Sequence, residues 1–512
     1  MRRKDFRSTL VVMSGLAFAT QTGFVRQIVI ADQFGAGRAA DIFLVAFALP
    51  EFFFIALPIV LTPAFLPPFI ACRQKAGEAT AIQMGRWTTV ALFMLLSMFT
   101  VVIGLSAPAI MDWLSPGFDL TERARAVQSS RLRLPAIDFM GLAILGGAVL
   151  QAYHRFARPA FITAAYNLTF VVVLMALPIM LLEDRAAWGV TLGAAAALAL
   201  QWPVWRIFLS PLPAETNDLG KVIKSSPRPW VKQVAGLAMP LALGYAVHHL
   251  ILIIDRSMAT TLVTGSVAVL DYALRLAQVV GQLGALAVST VLFPSLVEHI
   301  ESKNLAGARR SLTDALRLIW MITLPACLGL MVLRTPLVRV LFEHGAFDRG
   351  DTQKVSQALA LYALAVLADA ICQPLWRVIY AQRLVWTVLA VNALQTVVRV
   401  LCNIIFIRDY GVNGLALSAI FGLSLQAFIL GILVHRQLDF SIRFTGWREV
   451  GMVSIISIIA AIIGCLIAST LPANNPLVVL LVSGGAGALF YLSGLICLKI
   501  LKKRRNLPLL IV

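Results

Sequence analysis

Several ionisable side chains lie within stretches that are otherwise apolar. Arg26 sits in TGFVRQIVIADQFGAG, residues 22–37, about one and a half helical turns before the helix is expected to leave the membrane. A guanidinium stays charged under any accessible condition, and placing it inside a bilayer is costly. Arg275 sits in DYALRL, with Asp271 four residues before it on the same helical face, so an intrahelical pair is one reading of those two. Asp41, Glu51 and Arg256 complete the set with the best claim to bind something. His248, His249, Asp255, Asp369 and Arg399 are further ionisable groups in apolar surroundings. Helix-end pairing and snorkelling account for groups near span ends, Asp41, Asp255 and Arg256 among them. Arg26 and Arg275 point to a cationic cavity for an anionic substrate, because charge inside a membrane marks a substrate path and arginine binds phosphate through paired hydrogen bonds.

The elements that must position these groups are transmembrane helices. The chain has 512 residues, of which 59% are hydrophobic and 13% charged, where soluble domains carry about a quarter charged residues. The apolar residues fall into blocks of about 20, enough to cross a bilayer, and roughly fourteen such blocks can be placed. The second, near 41–70, contains Pro50, Pro58, Pro63, Pro67 and Pro68 and is expected to be kinked or broken. The fold class is therefore an all-α polytopic membrane protein.

Charge sets the orientation. Alternate loops carry Arg2, Arg3, Lys4 and Arg7, then Arg73, Lys75 and Arg86, then Arg155 and Arg158, then Lys221, Lys224, Arg228 and Lys232. The series ends in a tail with Lys502, Lys503, Arg504 and Arg505. The intervening loops are mixed or acidic, except one near 119–133 with four arginines against Asp119 and Glu122. The positive-inside bias places both termini in the cytoplasm. The polar linker 211–230 divides twelve spans into six and six. The expected organisation is a six-helix lobe at 1–210, a second at 211–440, and two extra helices with a basic tail at 441–512. Two lobes of like orientation imply a pseudo-two-fold axis along the membrane normal and a cavity between the halves.

Other function classes fit poorly. The net charge of +18 follows from basic residues at helix ends, and no nucleic-acid-binding motif stands apart from them. Six cysteines are scattered singly, which argues against metal and disulfide roles. No Walker-type phosphate loop, HExxH or nucleophile elbow is present. No cofactor is implied, and transport would draw on a coupling ion or the membrane potential.

GFVRQIVIADQFGAGRAADIFLVAFALP, residues 23–50, resembles the opening signature of the MurJ (MviN) lipid II flippases, G-F-x-R-D-x-x-x-A-x-x-F-G-A-G-x-x-x-D-A-F-x-x-A-F-x-x-P. LSPGF at 114–118, HRFARPAFITAAYN at 154–167, WVKQVAGLAMPLALG at 230–244, GSVAVLDYALRL at 265–276, AVSTVLFPSL at 287–296, VLFEHGAFDRGDT at 340–352 and GVNGLALS at 411–418 follow in the family's order. The resemblance implies a divergent member of that family, within the multidrug/oligosaccharidyl-lipid/polysaccharide exporter superfamily. It implies two six-helix lobes, two further helices and a cationic central cavity. It also implies movement of a polyprenyl-pyrophosphate-linked sugar, lipid II, from the cytoplasmic to the periplasmic leaflet by alternating access, for peptidoglycan synthesis. The protein would then be a transporter, not an enzyme. Its partners would be the lipid-linked substrate, the bilayer and cell-wall synthesis proteins. Arg26, Asp41 and Arg275 match functional positions, and the family implies that the arginines engage pyrophosphate.

The chain also departs from the family pattern. Ala19 and Thr20 stand where the family usually has Ser-Arg. Glu51, Phe52, Phe53, Phe54 and Ile55 follow Pro50 where the family has N-x-x-R-R, and ALPIVLT replaces its small-residue A-E-G-A-F segment. Leu274 and Gln278 replace acids beside Arg275, and the family's D-x-x-T-P after the tenth span is absent. These changes keep open an exporter of another lipid-linked oligosaccharide, of exopolysaccharide or O-antigen type, and a non-transporting envelope scaffold. A drug or cation exporter would be expected to carry acidic cavity residues instead of Arg26 and Arg275.

Overall fold

In the computed structural model, residues 3–176, 180–211, 226–291, 293–382, 384–438, 447–472 and 475–504 are described. Most of the linker (212–225), the side chain of His248 and the end of the basic tail lie outside the described residues. The described chain is helical and falls into two units, Met1–Val267 and Ala268–Val512.

The first unit holds α1 (Arg3–Phe34), α2 (Arg38–Ala76), α3 (Glu78–Leu114), α4 (Leu120–Arg133), α5 (Pro135–Ala152), α6 (Ala157–Ala160), α7 (Ile162–Ala176), α8 (Leu182–Leu200), α9 (Trp202–Leu209) and α10 (Arg228–Ala259). α5 is the centre of this unit and packs on α2, α3 and α8. Its apolar residues cover every face and are nearly all buried, as expected of a helix with no polar side to turn outward. α3 lies at the margin and exposes Phe93, Met94, Leu95, Met98, Phe99 and Leu105, an apolar face suited to lipid. α10 packs along α2 and α3 and belongs to this unit.

The second unit is formed by α11 (Ser266–Val291), which starts just before the boundary, α12 (Phe293–Glu301), α13 (Leu305–Val332), α14 (Arg334–Phe342), α15 (Arg349–Ala381), α16 (Val385–Tyr410), α17 (Val412–Leu438), α18 (Trp447–Thr470) and α19 (Pro476–Arg504). Leu312, Cys372, Leu375, Val378, Ile379 and Leu430 form its core between α13, α15 and α17. The last two helices are tied to α13: Trp320 Nε1 donates to Ser454 Oγ at 3.0 Å, and the Tyr491 hydroxyl donates to the Met321 carbonyl at 2.6 Å.

Ten described helices are long and apolar enough to cross a membrane. The bent pair α8 and α9, at 58°, makes an eleventh span, and α7 is a shorter apolar helix. α1 and the α11–α12 pair are helical over the remaining expected spans.

One sequence expectation is narrowed and one changes. Of the two outcomes the prolines allow, a kink or a break, α2 is not broken: it runs as one helix of 39 residues through all five prolines. Much of it is buried against α5, α10 and α3, and such packing offsets the backbone hydrogen bonds that proline removes. The arginine-rich stretch near 119–133 is helix α4, not a loop. Asp119 caps it, accepting from the Glu122 N–H at 2.8 Å while Glu122 accepts from the Asp119 N–H at 3.0 Å. Its arginines are engaged, Arg125 with Glu183, Arg123 with Asp112 and Arg131 with the Gly104 carbonyl.

Candidate functional site

Arg26 lies on α1, half-buried, facing α7. Its guanidinium carbon is 5.4 Å from the Tyr166 ring centre and 5.7 Å from that of Phe170. Aromatic faces attract a cation without neutralising it. Arg26 has no carboxylate partner among the described residues, and its buried Nε has no hydrogen-bond partner there. The next residue, where the family signature carries aspartate, is Gln27. The charge of Arg26 therefore stays available to an anion. Tyr166 and Phe170 are held in turn by Phe54, which meets Tyr166 edge-on at 5.4 Å, and by Phe43, 6.3 Å from Phe170. Phe54 stands where the family pattern has an arginine, so at this place the chain supports a cation instead of adding one.

Arg256 and Glu51 form an ion pair between α10 and α2. Arg256 Nη1 donates to Glu51 Oε2 at 2.5 Å, with both side chains largely buried. The next residue of α2, Phe52, packs on Tyr245 and His249 of α10, at 5.7 and 5.5 Å between ring centres. The Tyr245 hydroxyl and His249 Nδ1 are 3.1 Å apart. The seam between α2 and α10 is thus charged at one place and aromatic beside it.

Three stretches of the family signature meet at the end of the first unit where α1 leads into α2. Asp41 is buried and its Oδ2 accepts the Gly265 N–H at 2.7 Å, so it is a helix-end partner and not a snorkelling charge. Gly265 has φ +88°, and a β-carbon there would lie 1.9 Å from the Ala36 carbonyl oxygen. Glycine is required by both conformation and space. Gly117 of LSPGF is pressed against Thr260, where a β-carbon would lie 1.9 Å from that carbonyl oxygen. The Ser257 hydroxyl donates to the Trp113 carbonyl at 2.9 Å. FGAG, LSPGF and GSV therefore close this end of the unit by backbone approach.

In the second unit, Arg275 Nε donates to Asp271 Oδ2 at 2.5 Å, the intrahelical pair that their spacing allows. Asp271 is buried and Arg275 partly exposed. Arg399 is buried on α16, and Asp369 on α15 accepts from Gln373 Nε2 at 3.4 Å.

Arg133, Asp138 and Glu183 are buried ionisable residues that their sequence positions do not mark, and Glu183, 2% exposed, pairs with Arg125. Arg133 is 0% exposed, with its guanidinium carbon 4.8 Å from the Phe43 ring centre and hydrogen bonds to the Phe43 and Glu183 carbonyls. Asp138, 7% exposed, accepts a hydrogen bond from Ser97.

Many long apolar helices with ionisable side chains set among them define a polytopic helical membrane protein. The profile of the family described as "Lipid II flippase MurJ" matches residues 30–482, and the chain belongs to that family. The lipid II flippase MurJ of Burkholderia cenocepacia is 29% identical over 434 residues, covering 83% of each chain. A probable lipid II flippase MurJ of Rhizobium meliloti is 30% identical over 358 residues, 68% of this chain and 65% of that one. The solved lipid II flippase MurJ in an inward closed conformation superimposes with a TM-score of 0.79 at 20% identity, covering 97% of this chain and all of that one. An inward-facing multidrug resistance transporter of the MATE family and MOP superfamily gives 0.67 at 16% identity, covering 84% and 98%. Those likenesses establish the fold.

Proposed function

We propose that this protein is a flippase for a polyprenyl-pyrophosphate-linked sugar precursor, with lipid II as its substrate in peptidoglycan synthesis. The single observation that carries the reading is Arg26: a membrane-embedded guanidinium held on two aromatic faces, with no carboxylate partner among the described residues. Pyrophosphate is the group that every lipid-linked precursor of this class shares, and arginine binds it through charge-assisted hydrogen bonds. Arg275 serves the same substrate by exchanging Asp271 for phosphate. Asp41, Glu51, Arg256 and Asp271 position helices and hold the arginines in reserve.

In this reading the six-helix lobes at 1–210 and 211–440 carry transport, and the helices at 441–512 are accessory. The protein lies in the bacterial inner membrane with both termini in the cytoplasm, works beside cell-wall synthesis proteins, and is driven by an ion gradient or the membrane potential. A second reading keeps the pyrophosphate and changes the sugar to another lipid-linked oligosaccharide. It is favoured by Glu51, which neutralises Arg256 and stands in place of a family asparagine, and by Phe54 and Ile55 in place of two arginines.

Reconstitution separates the two. Purified protein in vesicles should expose fluorescently labelled lipid II to an external modifying enzyme faster than empty vesicles do. Flipping of a different polyprenyl-pyrophosphate oligosaccharide but not of lipid II selects the second reading. Flipping of neither removes both.

A further inference from the structure

Asp138 lies near the start of α5, packed against the middle of α3, where the neighbouring α3 residues Leu96 and Phe99 are apolar. The Ser97 hydroxyl donates to Asp138 Oδ1 at 2.9 Å. Thr100 Oγ1 lies 3.3 Å from Asp138 Oδ2 and 2.9 Å from the Ser97 carbonyl oxygen. A hydroxyl has one proton to donate. When Thr100 donates to the nearer carbonyl, its lone pair faces Asp138 Oδ2, which is the partner a protonated carboxyl requires. When the carboxyl is ionised, the Thr100 proton can turn to Oδ2 instead. One rotation of a hydroxyl thus accommodates both charge states.

The charged groups on the helices around α5 are committed elsewhere. On α2, Asp41 is bonded to Gly265 and Glu51 to Arg256. On α4, Arg131 and Arg133 bond to backbone carbonyls, and on α8 Glu183 bonds to Arg125. On α8, Asp184 accepts from Gln128, and Arg185 faces the Leu174 carbonyl. The charges of α3 itself, Glu78, Arg86 and Asp112, lie toward its two ends, on α6 and α9 Arg158 and Arg206 stack on Trp202, and the phenol of Tyr166 on α7 faces Arg26. No cation contacts Asp138 among the described residues, and the side-chain groups that meet its carboxylate are the Ser97 and Thr100 hydroxyls.

We propose that Asp138, with Ser97 and Thr100, is a proton-binding site of the transport cycle: the carboxylate takes one proton from one side of the membrane and releases it to the other. This rests on the flippase reading for its physiological use, and it names the coupling ion that the reading leaves open. A proton is favoured over a metal cation because three side-chain oxygens are too few for a cation cage, which takes about six or more oxygen ligands.

The test has one arm that needs no substrate. Infrared difference spectra of the purified protein, recorded on stepping from alkaline to acid pH, should show the carbonyl band of a neutral carboxylic acid that titrates. One component of that band should be missing in Asp138→Asn, the other carboxyls supplying the remainder, and Ser97→Ala, which removes a donor to the ionised form, should move that component's midpoint upward. Absence of a titrating band, or a band unaffected by Asp138→Asn, overturns the site. In vesicles, a proton gradient should accelerate flipping by the wild type, and Asp138→Asn should flip at a rate independent of the gradient. An unaltered gradient response in Asp138→Asn overturns the coupling role. If the wild type flips no lipid-linked substrate, the flippase reading fails and the infrared arm still decides the proton site.

Discussion

Glu51 and Arg256 are 205 residues apart in sequence and 2.5 Å apart in space. Their pair joins α2 to α10 with both side chains largely withdrawn from solvent. Removing one partner of such a pair leaves a buried charge uncompensated, at a cost of about 3 kcal/mol or more. Glu51→Gln is therefore expected to lower the melting temperature of the detergent-solubilised protein. The exchange Glu51→Arg with Arg256→Glu should recover part of the loss, because the pair is re-formed in reverse. Equal melting temperatures for wild type and Glu51→Gln would show that the pair does not hold α2 to α10.

Gly265 and Gly411 both have positive φ but differ in their surroundings. A β-carbon at Gly265 would collide with the Ala36 carbonyl, whereas at Gly411 nothing lies within 4 Å. Gly411, at φ 54° and ψ −129°, is outside the left-handed helical region, so Gly411→Ala should cost backbone strain alone, about 1–3 kcal/mol. Gly265→Ala should be clearly worse in a thermal melt. It should also increase cysteine labelling of a probe introduced at Ala36, by opening the contact among FGAG, LSPGF and GSV. Equal melting temperatures for the two variants would argue against that close approach.

Asp119 gives a pH-dependent helix start outside the membrane. The Glu122 N–H and the Thr121 hydroxyl hold its carboxyl below the usual aspartate range. A lowered folded-state value means that the cap contributes fully above the unfolded value and is lost as pH falls through the folded one. Protection of the Glu122 and Arg123 amides, measured against the unstructured exchange rate at the same pH, should fall on acidification below about pH 4, the ordinary aspartate range. In Asp119→Ala it should be low already at neutral pH.

The helices were legible in the sequence because long apolar runs leave few alternatives in a membrane. Arg26 was legible for the same reason, as a charge standing against such a run. The Glu51–Arg256 pair was not, since each residue alone reads as an interface charge and only the packing of α2 on α10 joins them. Arg133 was hidden in a stretch rich enough in arginine to look like a loop. Its burial depends on Phe43 and two backbone carbonyls that no spacing rule reveals. Asp138 follows Pro135 at the margin of an apolar run, where a carboxylate reads as an interface residue. Its environment is set by α3, about forty residues earlier in the chain. The prolines of α2 left a kink or a break open, and the sequence alone could not tell that packing keeps the helix continuous.

The central claim is that the unneutralised guanidinium of Arg26 binds the pyrophosphate of a lipid-linked precursor. Its most direct test is the flipping rate of labelled lipid II in vesicles reconstituted with wild type, Arg26→Lys and Arg26→Ala at equal protein content. Loss of charge-assisted hydrogen bonds should slow Arg26→Ala by more than about tenfold. Arg26→Lys should fall between, because a point charge lacks the paired donors. Flipping by Arg26→Ala at the wild-type rate would contradict the account and leave Arg26 as a packing residue on Tyr166 and Phe170.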